Sequence, residues 1–147
     1  MVRIRQLQTM IMNGKTVIGG MGVLAVTILA SAKDVDVSKL PPASSQKGVT
    51  YAKDIKPIFD KSCVSCHGAE KQKAKLRLDS LAATLKGGED GKVIEPGNSA
   101  KSMLVHNVAR VGDEDKWMPP PDNKAKIPQL TAEQVGLIRA WIDQGAK

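Results

Sequence analysis

The chain has 147 residues, enough for one compact domain plus a leader and too few for two full domains. Its net charge of +7 comes with only 3% aromatic residues. No stripe of Lys and Arg interleaved with rings is present, which sets nucleic-acid binding aside.

Residues 1–32 have the pattern of an export leader. Arg3, Arg5 and Lys15 precede an uncharged apolar stretch at residues 17–30, no acidic residue occurs before Asp34, and Ala30-Ser31-Ala32 offers the small residues of a cleavage site. The mature chain is expected to begin at Lys33, in the periplasm or an equivalent exported space. The competing reading keeps residues 10–32 as an uncleaved membrane anchor, although a spanning helix wants about 20 apolar residues. Without the leader 19 basic residues face 15 acidic ones, a mild balance of +4.

Residues 33–48 carry prolines and serines without a sustained period and read as a flexible linker. The folded domain is expected over residues 49–146. Its aromatic inventory, Tyr51, Phe59, Trp117 and Trp141, is thin for a globule, and a large flat apolar group would fill the deficit. Asp54 is the candidate cap of a first helix with Pro57 in its first turn, where no backbone donor is needed. Ile55, Ile58 and Phe59 then share a face leading into Cys63.

Cys63-Val64-Ser65-Cys66-His67 is the most specific motif of the chain. In the C-x-x-C-H spacing, two thiols on one helical turn attach to the vinyl groups of a haem and the next residue reaches the iron. Three other readings compete. A thioredoxin-like dithiol wants a β-α-β context, but strand signals here are sparse. A structural zinc site needs four spaced ligands, whereas the chain has two Cys and two His, with His67 adjoining Cys66. A plain disulfide is compatible with export. The leader, the helical context and the adjacent histidine together favour one covalent haem c, attached through Cys63 and Cys66 with His67 as proximal ligand.

Beyond the motif, Lys71, Lys73, Lys75 and Arg77 form a basic run, either a solvated loop or a surface that steers an acidic redox partner. Leu76 to Ser80 reads as extended, and the alternation of Leu76, Arg77 and Leu78 suggests Arg77 as an inward residue that meets a haem propionate. A short helix is expected over 81–85, ended by Gly87-Gly88, and a second helix carries Leu104, Val105 and Val108 after the Pro96-Gly97-Asn98 turn. Thr131-Ala-Glu-Gln134 is a capping box. It opens a last helix with Val135, Ile138, Trp141 and Ile142 on one stripe and Gly145 as its stop.

The sixth iron ligand is sought among Met103, His106 and Met118. Met118 stands in Trp117-Met118-Pro119-Pro120-Pro121, where prolines stiffen the loop that presents the sulfur. Met103 has the commoner reading of a core residue beside Leu104, and His106 is either a second imidazole ligand or an exposed helical residue.

C-x-x-C-H-G, followed by Leu-Arg-Leu-Asp-Ser, Gly-Gly, Pro-Gly, Met-Pro-Pro and Trp-Ile-Asp-Gln-Gly-Ala, resembles the planctomycete-type cytochrome c domain over residues 49–146. The resemblance implies an all-α cytochrome c-like fold, a small helical domain wrapped around one His/Met-ligated haem. The segments around residues 111–116 and 122–128 are longer than that pattern. With His67 and Met118 as iron ligands no coordination position is left for a substrate, so the expected role is one-electron carrier rather than enzyme, with no small-molecule substrate. Expected partners are redox proteins, among them a membrane-bound electron-transfer complex. The competing class is a haem enzyme or gas-binding protein with a labile sixth ligand.

Overall fold

Pro57 has no N–H for the carbonyl four residues back, and its ring crowds that carbonyl. The chain answers with a widened turn. In the computed structural model, which describes residues 35–147, Tyr51–Ile55 forms a π-type turn in which the Lys56 N–H reaches back to the Tyr51 carbonyl, and α1 (Lys56–Ser62) continues from it. The helical stretch therefore starts earlier than expected, and its cap is Thr50 rather than Asp54. The Thr50 hydroxyl accepts from Lys53 N–H at 3.4 Å, while the Asp54 carboxylate reaches back to accept from Thr50 N–H at 2.8 Å. That backbone bond to Thr50 is the main cause holding the Asp54 carboxyl below its ordinary pKa.

Three further helices follow. In α2 (Leu81–Lys86) the Ser80 hydroxyl caps the first turn and Gly87, at φ 84°, ends the last. α3 (Met103–Ala109) buries Leu104, Val105 and Val108 and ends on Arg110, itself left-handed at φ 56°. α4 (Ala132–Asp143) opens with the full reciprocal capping box of Thr131 and Gln134 and buries Val135, Ile138, Trp141 and Ile142. Among the described residues there is no strand, only isolated bridges at His67–Gln72 and Gly88–Gly91. The fold is all-α. No helix among the described residues is long and apolar enough to cross a membrane. The leader and its alternative as an anchor lie outside the described residues.

The three buried aromatics form one cluster. Tyr51, Phe59 and Trp141 have ring centroids 5.9 to 6.3 Å apart at tilted or edge-on angles, geometry that favours the quadrupoles of the rings. The Tyr51 hydroxyl donates to the Leu78 carbonyl at 2.9 Å, and the Trp141 indole N–H donates to the Lys147 carbonyl at 2.9 Å. The aromatic core thus ties the first helical stretch to the last and also grips the extended segment after the C-x-x-C-H motif.

Residues 35–48 correct the linker expectation, because they pack along α4. Leu40 is buried, the Arg139 guanidinium donates to the Pro41 carbonyl, Ser44 N–H donates to the Gly136 carbonyl at 2.9 Å, and the Gln144 amide donates to the Gln46 carbonyl at 2.9 Å. Gly136 makes room for this, since a Cβ there would lie 2.6 Å from the Pro42 carbonyl oxygen. The segment is held by its backbone rather than by a periodic apolar face, so its composition resembles that of a linker.

Candidate functional site

The C-x-x-C-H motif begins where α1 stops. Cys63 N–H and Val64 N–H share the Phe59 carbonyl at 2.8 and 3.0 Å, and Cys66 N–H and His67 N–H share the Cys63 carbonyl at 3.0 and 2.9 Å. Two shared carbonyls wind the motif into a tight turn beyond the helix end, not the regular helical turn expected from the spacing. Gly68 completes the reversal, because a Cβ there would stand 2.5 Å from the Val64 carbonyl oxygen. Any side chain at 68 would push the turn open.

His67 is held by the strand-like return of the chain. Lys73 N–H donates to the Cys66 carbonyl at 3.0 Å and Leu78 N–H to the His67 carbonyl at 2.8 Å. The ring Nδ1 lies 3.1 Å from the Lys73 carbonyl oxygen. A carbonyl only accepts, so Nδ1 carries the proton and Nε2 is left with its lone pair, the state needed in a metal-ligating imidazole. Burial lowers the His67 pKa below its ordinary value, against the backbone hydrogen bonds with Lys73 and Leu76, which raise it. Burial likewise pushes the Cys63 thiol up to about 12, with the neighbouring Cys66 adding to the effect. The two cysteines are not joined in a disulfide. A raised thiol pKa is the opposite of what a reactive dithiol motif shows. Among the described residues no group of three or more His, Cys, Asp and Glu is gathered as a metal-ion site.

Cys63, Cys66 and His67 line one wall of a cavity of about 430 Å³. That is within the range of small-molecule and cofactor sites. Leu76, Leu78, Val93, Leu104 and Val108 give it an apolar lining, and Met118, Pro119 and Pro120 line the same cavity. Two thiols, a neutral imidazole and a thioether around an apolar slot are the donor set a covalently attached haem needs, and the residues fit that group.

The Met118 loop is built by groups with no signature in the sequence reading. Met118 N–H donates to the Asn107 carbonyl of α3 at 3.0 Å. Below it, the Asn123 side chain donates to the carbonyls of Pro120 (2.8 Å) and Ile127 (3.0 Å) and accepts from Ile127 N–H (2.7 Å), which closes the longer 122–128 segment on itself. Asn107 and Asn123 were both missed. Asn directly after Pro-Pro-Pro-Asp was the available clue to a side-chain-closed turn at 123.

The other candidates are placed elsewhere. His106 Nε2 is hydrogen-bonded to the Ala100 carbonyl at 2.7 Å and the residue does not line the cavity. Met103 is 40% exposed, correcting the expectation of a core residue, because α3 turns Leu104, Val105 and Val108 inward instead. Arg77 is a second correction. Leu76 and Leu78 face the cavity, so the residue between them points away, and its guanidinium is fastened to the Asp79 carboxylate at 2.6 and 3.0 Å. Of the basic run, Lys71 and Lys73 line the cavity, and so does Lys124 from the 122–128 segment.

No curated protein and no solved structure matches the chain. The family model described as planctomycete cytochrome C matches residues 63–122. This stretch begins on the first motif cysteine and takes in His67, α2, the cavity-lining residues of α3 and Met118, while leaving out the aromatic cluster of the terminal helices. The match is narrower than the resemblance read over residues 49–146, and it holds most of the residues that line the cavity, while Asn123, Lys124, Ala125, Ile127 and Leu130 lie beyond it. Residues 63–122 are thus similar to the planctomycete cytochrome C family, and this likeness supports a haem-binding cytochrome.

Proposed function

We propose that this protein is an exported one-electron carrier, with one haem c attached through Cys63 and Cys66 and its iron ligated by His67 and Met118. One observation supports the ligand set above all. Met118 shares the cavity with the motif, whereas His106 is tied to Ala100 and Met103 lies on the surface. When bound, the haem supplies a reversible one-electron couple. The protein supplies the setting. His67 presents Nε2 because Lys73 fixes Nδ1, and the proline-framed Met118 offers a neutral thioether, which favours the reduced state. The leucines and valines keep water from the inner wall. Lys71, Lys73 and Lys124 at the rim attract an acidic redox partner, an attraction that salt weakens. Export rests on the leader pattern and the need of such motifs for attachment outside the cytoplasm.

A redox titration of the purified holoprotein tests this reading. A single one-electron transition is expected, with no peroxidase turnover and a ferrous state closed to carbon monoxide. Rapid carbon monoxide binding or peroxidase turnover by the wild-type protein would contradict it.

A further inference from the structure

The carbonyl that orients His67 belongs to a loop which is itself clamped from outside the motif. Lys73–Lys75 is a 3-10 turn, and both Ala74 and Lys75 are left-handed at φ 54°, a conformation that side chains with a Cβ rarely take. Such a turn persists only where its surroundings hold it. The holding element is the turn Gly88 to Gly91, closed by Gly88 N–H to the Gly91 carbonyl at 2.9 Å and Gly91 N–H to the Gly88 carbonyl at 3.2 Å. From this turn Glu89 N–H donates to the Ala74 carbonyl at 2.8 Å. Gly88 lies directly against the same carbonyl: a Cβ on it would stand 2.6 Å from the Ala74 oxygen and 3.2 Å from the Leu76 Cβ. Gly88 is not in the left-handed region, so the need for glycine here is the close approach alone.

We propose that Gly88 is a positioning residue for the axial imidazole. Its missing side chain lets the Gly88–Gly91 turn close on Ala74, which keeps the Lys73 carbonyl against His67 Nδ1. The proposal rests on His67 being the iron ligand. A firm Nδ1–H to carbonyl bond makes the imidazole a stronger electron donor and favours the oxidised iron. Loosening the clamp weakens that bond and raises the reduction potential.

Two variants reach the clamp by different routes. Gly88→Ala puts a methyl group against the Ala74 carbonyl. Glu89→Pro replaces the N–H that binds this carbonyl with a ring carbon aimed at it, so the hydrogen bond is lost, at the second position of the turn, where proline is well accepted. Gly136→Ala is the control, since its Cβ would also lie 2.6 Å from a backbone carbonyl, that of Pro42, away from the cavity. The readouts are the reduction potential and the His67 ring-proton shifts of the ferric holoprotein, with thermal stability measured alongside. The expected result is a raised potential and moved His67 signals in Gly88→Ala and Glu89→Pro, with Gly136→Ala losing stability at an unchanged potential. Unshifted potentials in both clamp variants, or an equal shift in Gly136→Ala, would overturn the proposal. A wild-type spectrum without a histidine ligand would instead overturn the ligand assignment beneath it.

Discussion

At the residue scale, the buried phenol of Tyr51 links the aromatic cluster to the cavity wall through the Leu78 carbonyl. Removing the donor in Tyr51→Phe is expected to destabilise the protein by about 0.5–1.5 kcal/mol. Burial is the main cause raising the Tyr51 pKa above the ordinary 10.0. An acid with a raised folded pKa favours folding while it is protonated, so this contribution is complete below pH 10.0 and is lost as pH rises through the folded value. Stability measured across that alkaline range should fall less steeply in Tyr51→Phe than in the wild type. Met103 is the contrasting case. With 40% exposure and no place in the cavity, Met103→Ala is expected to change stability by less than about 0.5 kcal/mol in denaturant titrations.

At the scale of elements, α4 was legible almost completely, because its capping box and its apolar stripe are both written in side chains. Thr131→Ala breaks the box at its hydroxyl, which accepts from Gln134 N–H at 3.3 Å. A loss of about 1 kcal/mol is expected, measured by chemical denaturation. The first helix was half legible. Its buried face was read correctly, but proline placed the start too late, since a widened turn absorbs Pro57 inside the helical stretch. The basic loop after the motif was misread at Arg77, where the partner is Asp79, two residues further along the chain. Backbone partners leave no mark on composition, which is why the Lys73 carbonyl behind His67, the Asn107 carbonyl behind Met118 and the packing of residues 35–48 went unseen.

At the scale of the whole molecule, the described domain has two parts with different needs. The aromatic cluster between the terminal helical stretches is closed by protein side chains alone, whereas the cavity side has leucines and valines facing an apolar slot. With haem attached as proposed, the slot side would depend on that group, so replacing both Cys63 and Cys66 by Ala should lower stability strongly and leave little tertiary signal. A double variant with an unchanged circular dichroism spectrum and melting curve would refute that dependence. The motif was legible because it is carried by scarce residue types, two cysteines and two histidines in the whole chain, whereas Met118, one of six methionines, stood out by the prolines that follow it.

The proposal that Met118 would hold the haem iron together with His67 is tested most directly by carbon monoxide addition to the ferrous proteins. The wild type and His106→Ala should remain closed to it, while Met118→Ala should bind it readily. Binding by His106→Ala together with a closed Met118→Ala protein would contradict the account and assign the sixth position to the imidazole.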